Sequence, residues 1–142
     1  KSLKKLYLSK NNLSSEIPRE VGSMENLVAI NLSYNDLQGD LPPEVGNLKN
    51  LEMLFLESNG IVGNIPISYQ NLGKIKKIHL EENNLSGPIP KWIGQLNDLE
   101  ELGLSNNNFT GEIPILSPMK SLDMLKLEKN SLSGIMPDGI CS

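Results

Sequence analysis

The sequence predicts an α/β repeat solenoid. Six stacked turns of chain each give one short parallel strand to a shared sheet and a short 3₁₀ or helical turn to the opposite side. Three observations predict it. The octet NNLSGPIP at 83–90 recurs as NNLSSEIP at 11–18, NDLQGDLP at 35–42, NGIVGNIP at 59–66, NNFTGEIP at 107–114 and NSLSGIMP at 130–137. The asparagines opening these octets, Asn11, Asn35, Asn59, Asn83, Asn107 and Asn130, are spaced by 24, 24, 24, 24 and 23 residues. Upstream of each lies a second constant block, seen as LKKLYLSKN, LVAINLSYN, LEMLFLESN, IKKIHLEEN, LEELGLSNN and LDMLKLEKN. A period of this length marks units that stack because none can bury its own apolar face.

Within each block, aliphatic and variable positions alternate, which is the period of a short strand. In the fourth copy Ile78 and Leu80 face inward and His79 faces out. Stacking aligns one spine of Leu6, Ile30, Leu54, Ile78, Leu102 and Leu125, and a second of Leu8, Leu32, Leu56, Leu80, Leu104 and Leu127. Each fully buried aliphatic side chain contributes roughly 1.5–3 kcal/mol.

After each strand the chain turns sharply and buries backbone groups that no ladder satisfies, so those groups need other partners. An asparagine side chain offers both a donor and an acceptor. The six stacked asparagines are therefore expected to bridge to the backbone of neighbouring units. Four residues later stands a glycine, or Ser15 in the first copy, and after it a proline that fixes φ on the return path. The following aliphatic–glycine pairs (Val21-Gly22, Val45-Gly46, Ile93-Gly94) begin the convex side. Unit boundaries fall near 3–26, 27–50, 51–74, 75–98, 99–121 and 122–142. The fifth unit is one residue short, in ILSPMKS at 115–121, a loop-side deletion that leaves the strand ladder intact.

The unit L-x-x-L-x-L-x-x-N-x-L-x-G-x-I-P-x-x-[VI]-G-x-L-x-x resembles the plant-specific class of leucine-rich repeat, and the resemblance covers essentially the whole chain. It is most similar to ectodomains of plant receptor-like kinases, and to the related receptor-like and polygalacturonase-inhibiting proteins. The resemblance implies a right-handed superhelix or horseshoe with the parallel strands on its concave face. It also implies a second strand from the L-x-G-x-I-P segment, an extracellular or cell-surface setting, and protein or peptide ligands and co-receptor ectodomains as partners. The family's paired-cysteine cap and a kinase domain have no counterpart in these residues, which read as an internal fragment of a longer receptor, uncapped at both ends.

A net charge of −4 without a basic patch argues against nucleic acid, which is read through clustered Lys and Arg. No apolar run approaches the roughly 20 residues needed to cross a bilayer. Asn12, Asn31, Asn84 and Asn108 open N-glycosylation sequons; a glycan on Asn31 would stand on the concave sheet. The single cysteine, Cys141, reads either as a small residue replacing the glycine seen at Gly46 and Gly94 or as half of a disulfide with a partner elsewhere.

One histidine and one cysteine, far apart in the array, form no nucleophile–base pair, and no catalytic residue, cofactor or metal is expected. The neighbouring carboxylates Glu81 and Glu82 are expected to be solvated. What remains is a surface. Its central column reads Tyr7, Asn31, Phe55, His79, Gly103 and Lys126. Met53, Lys77 and Glu101 stand in the column on one side, with Glu57 and Glu81 on the other beside Tyr34. These ten outward side chains, excluding Asn31 and Gly103, are the candidate ligand contacts, since exposed aromatics on a rigid sheet typify recognition sites. The alternative is that they pack on one another across strands. Six strands roughly 4.8 Å apart give a face about 24 Å long, room for an extended peptide of about seven residues. Ligand recognition by a receptor segment, enzyme inhibition of the polygalacturonase-inhibiting kind, and a spacer role all fit these residues.

Overall fold

A computed structural model describes residues 2–140 of the chain; Cys141 lies outside them. Each turn contributes two short strands. They are β1 (Lys5–Tyr7) and β2 (Ser14–Glu16), β3 (Ala29–Asn31) and β4 (Asp36–Gln38), β5 (Met53–Phe55) and β6 (Val62–Gly63), β7 (Lys77–His79) and β8 (Asn84–Pro88), β9 (Glu101–Gly103) and β10 (Asn108–Glu112), and β11 (Met124–Lys126) and β12 (Ser131–Ser133). The first strands form one parallel sheet of six in the order β1-β3-β5-β7-β9-β11. The second strands form lateral sheets, β6 to β12 in one and β2 with β4 in another, and an isolated bridge from Asp40 to Val62 lies between the two.

The register of the main sheet matches the repeat period. Leu6 pairs with Ile30, Ile30 with Leu54, Leu54 with Ile78, Ile78 with Leu102 and Leu102 with Leu125. Behind the sheet these residues join one continuous cluster with Leu32, Leu56, Leu80, Leu104 and the convex-side Val45, Tyr69 and Ile93. Burial thins at the ends of the stack, where Leu8 is 41% exposed.

The convex side carries only 3₁₀ turns, at Arg19–Ser23, Pro43–Asn47, Ile67–Asn71, Lys91–Gln95 and Asp138–Ile140. No α-helix occurs among the described residues, so the α in the expected α/β class reduces to these single turns. Each five-residue turn follows a proline at its N-cap and closes by a backbone bond such as Val45 N–H to the Pro42 carbonyl at 3.2 Å, too short a segment to propagate an α-helix. None of these turns is long and apolar enough to cross a membrane.

Gly46 is a packing requirement of this side. A Cβ there would overlap the Ser68 carbonyl of the next turn. Gly46→Ala is therefore expected to lower stability by about 1–3 kcal/mol, read from urea unfolding, because two backbones must separate. The fifth unit has no 3₁₀ turn; Leu116 and Met119, 5% and 6% exposed, fill the core there instead.

Five of the six asparagines bridge neighbouring turns, and Asn11 departs from the expectation. Asn83 Nδ2 donates to the carbonyls of Leu56, Leu80 and Glu81, and its Oδ1 accepts from Ile61 N–H at 3.0 Å. Asn35, Asn59, Asn107 and Asn130 repeat the pattern, while Asn11 reaches only its own turn, at Leu8 and Ser9. Just before each asparagine the chain takes a left-handed residue: Lys10, Tyr34, Ser58, Glu82, Asn106 and Lys129, with φ between 54° and 57°. The glycine position also lies at positive φ, 81° at Gly63, and Ser15 adopts the same conformation at 71°.

Candidate functional site

The main sheet carries the expected columns on its open face. Cross-strand pairing runs Tyr7, Asn31, Phe55, His79, Gly103, Lys126, and beside it Lys5, Ala29, Met53, Lys77, Glu101, Met124. Tyr7 and Tyr34 are exposed and Phe55 half-buried outside the core, whereas Tyr69 and Phe109 lie wholly inside it.

Pairing of β5 with β7 sets Phe55 beside His79, their ring centroids 4.7 Å apart and tilted by 45°. Phe55 and His79 therefore do pack across strands, yet both stay part-exposed. Pairing of β7 with β9 sets Glu101 between two hydrogen-bond donors: Lys77 Nζ is 2.8 Å from one oxygen and His79 Nε2 is 2.8 Å from the other. The Lys77 hydrogen bond, aided by that of His79, holds the Glu101 carboxyl below the usual range, and Glu101 in turn raises Lys77.

On the other flank the structure corrects one expectation. Glu81 is buried, at 9% exposure, while Glu82 is solvated. The cause is Gly103, the cross-strand neighbour of His79: a Cβ there would overlap the Glu81 carboxylate, so glycine leaves the seat that Glu81 occupies. Glu81 Oε1 then lies 4.0 Å from His79 Nδ1. Glu57, one strand away, is half-buried, and desolvation pushes its carboxyl up from the ordinary value.

A shallow cavity of about 320 Å³ opens over this flank. It gathers Tyr34, Glu57, His79, Glu81 and Lys126 from the expected contacts, and adds Ser58, Glu82, Ser105, Asn106 and Glu128, which were not among them. Ser58 Oγ donates to Glu82 Oε2 at 2.7 Å along its rim. Met53, Phe55, Lys77 and Glu101 form the opposite, less acidic half of the face, and Tyr7 stands at the β1 end. Tyr34 holds its ring 5.9 Å under the Lys10 ammonium, a cation–π contact at the rim.

Family comparison agrees with this geometry. Models of the leucine-rich repeat match residues 1–61, 74–96 and 98–117. The chain belongs to the leucine-rich-repeat family. No curated protein sequence matches these repeats. Solved structures do. The leucine-rich-repeat array superposes on the crystal structure of PEPR1-AtPEP1 with a TM-score of 0.95 and 38% identity, over 98% of this chain and 20% of that one. It matches the Arabidopsis receptor kinase HAESA in complex with the peptide hormone IDA and the co-receptor SERK1 at 0.92 and 39%, over 95% and 23%. It matches the BIR3–SERK2 complex from Arabidopsis thaliana at 0.82 and 31%, over 93% and 70%. The repeats are thus of the kind that builds plant receptor-kinase ectodomains, and they span about a fifth of the length of the first two structures.

The sequons of these repeats sit in two environments. Asn12, Asn84 and Asn108 are exposed beside the ladder. Asn31 is part-buried in β3, and its Oδ1 accepts from the Ser33 backbone at 3.1 Å and the Ser33 hydroxyl at 2.7 Å.

Proposed function

We infer that these repeats recognise an extended peptide or protein segment on the concave sheet, as part of the extracellular portion of a plant receptor kinase. The observation carrying this reading is the division of one rigid face into an apolar half, Phe55 and Met53, and an acidic cavity. Four carboxylates (Glu57, Glu81, Glu82 and Glu128) and a single lysine, Lys126, line that cavity. Such a face fits a segment that lays an apolar side chain on Phe55 and a cationic group over the carboxylate rim. Backbone order supports it, since the face is built on paired strands that need no rearrangement to bind. Similar repeats occur in a peptide hormone receptor, RGFR1, in complex with RGF2, and in HAESA with its peptide and co-receptor. A face this short holds part of a ligand, with adjoining surface of a longer ectodomain taking the rest.

The test presents immobilised chain, in chelator-treated buffer, with panels of basic and acidic peptides of matched apolar content. Basic peptides should be retained, and retention should fall as salt rises. Phe55→Ala should weaken the retained peptides by about tenfold or more, as expected for an aromatic anchor. Equal retention of both panels, or indifference to Phe55→Ala, would leave the spacer role in its place.

A further inference from the structure

The floor of the acidic cavity, whose Glu57 and Glu81 also supply charge to the peptide reading, has a second chemistry. Glu57, His79 and Glu81 each offer one ligating atom, and these atoms lie within 4.8 Å of one another. The tautomer of the neutral histidine follows from its other side. An ionised carboxylate can only accept, so the 2.8 Å contact with Glu101 Oε2 places the ring proton on Nε2. Lys77 keeps Glu101 ionised, as its 2.8 Å contact with the other oxygen shows. In the neutral ring Nδ1 then presents a lone pair to Glu81 Oε1, 4.0 Å away.

The result is three acceptors facing one another, with a shared donor beside Glu57, the Ser33 hydroxyl that also serves Asn31. Both carboxylates, moreover, keep an unused oxygen out of solvent: Oε2 of Glu57 and Oε2 of Glu81 are buried, and neither has a hydrogen-bond partner among the described residues. Glu81 is buried, 9% exposed as a residue and 12% in its side chain, and held in this position by the gap at Gly103. Buried carboxylates without partners are costly unless paired with a cation. Histidine oriented through its far nitrogen by a carboxylate is also the arrangement that fixes tautomer and aim in metal sites.

We propose that Glu57, His79 and Glu81 form a binding site for a divalent transition-metal ion of zinc-like preference, ligated by His79 Nδ1 and one oxygen of each carboxylate. An imidazole nitrogen with two carboxylate oxygens suits zinc better than calcium or magnesium, which prefer all-oxygen shells. Three protein ligands leave a fourth tetrahedral position open toward the cavity, for water or for a carboxylate of a bound partner. Glu101 is the positioning residue of this site, and Gly103 supplies the space.

The test titrates the full chain with Zn²⁺ alone at neutral pH, followed by calorimetry and by nitrogen NMR of His79, the chain's only histidine. One ion should bind per chain, the Nδ1 resonance should shift while Nε2 keeps its proton, and the melting temperature should rise with Zn²⁺. Ca²⁺ and Mg²⁺ should do none of this. Glu101→Gln should weaken Zn²⁺ by about 10- to 100-fold without removing a ligand. Glu81→Gln should abolish the Zn²⁺-dependent shift yet raise the melting temperature of the metal-free chain, since its amide brings donors to the acceptor cluster. Glu52→Gln, in the separate pair with Lys76, should change neither. No uptake at millimolar Zn²⁺, uptake indifferent to Glu81→Gln, or a doubly protonated His79 at neutral pH would each overturn the site. None of these outcomes bears on peptide retention, which is measured in chelator.

Discussion

Tyr69→Ala is expected to lower the unfolding free energy by about 3–5 kcal/mol, among the largest effects of any single substitution in this chain. The third turn places Tyr69 where the neighbouring turns carry Val45 and Ile93, and its side chain is fully buried, with no measurable exposure. Its hydroxyl donates to the Pro42 carbonyl of the preceding turn at 3.2 Å. Truncation would open a cavity between two turns and take one of two hydrogen bonds from that carbonyl, which keeps the Val45 N–H. Tyr69→Phe separates the two contributions, since it keeps the ring and loses only the bond, about 1 kcal/mol. Urea unfolding followed by circular dichroism reads both, as a midpoint shift at constant slope. Burial also pushes the phenol far above its usual ionisation range, so alkali should ionise Tyr69 only as the stack opens.

Asn83→Ala is the second large effect, about 3 kcal/mol. Two amide hydrogens of Asn83 serve three carbonyls, those of Leu56, Leu80 and Glu81, and its oxygen receives the Ile61 N–H, all in a buried setting. Its removal strands the buried Ile61 N–H, at about 1–3 kcal/mol, and takes one bond from each carbonyl, which keep Asn59 Nδ2, Asn107 Nδ2 and Ser58 N–H respectively. Aspartate should not rescue, because a carboxylate has no hydrogen to give those carbonyls. Asn11→Ala is the control: its bonds are exposed and stay within its own turn, so its loss should fall below about 1 kcal/mol. Hydrogen exchange adds a local readout, with faster exchange at Ile61 in Asn83→Ala and no change in the fifth turn.

The scaffold was legible because the same residue type returns at the same offset. The strand pairings from Leu6 to Leu125 and the inter-turn bonds of Asn35 to Asn130 follow from the period alone. Positions that break the period were harder to read. Tyr69 stands where a smaller aliphatic is usual, and only the alignment of turns marks it as core. The left-handed residues before each asparagine include tyrosine, lysine and glutamate, none of which announces that conformation; Asn106 alone belongs to a type that favours it. Glu81 was misread as solvated because alternation assigns a face to a residue and says nothing of where a long side chain lies down. Its burial depends on Gly103, 22 residues on and beside it only after the strands pair. A glycine in an outward column next to a carboxylate was the available signal.

The ladder also bears on chemical ageing. Asn59-Gly60 is the dipeptide whose backbone nitrogen most readily attacks the preceding side-chain amide, which ends in loss of ammonia and an isomerised link. Here the would-be nucleophile, Gly60 N–H, is committed to the Leu37 carbonyl at 2.7 Å. The amide under threat is fastened at both ends, its oxygen to Leu37 N–H and its nitrogen to the carbonyls of Leu32 and Leu56. The bonds that hold the turns in line thereby keep the chain's most perishable peptide link from rearranging.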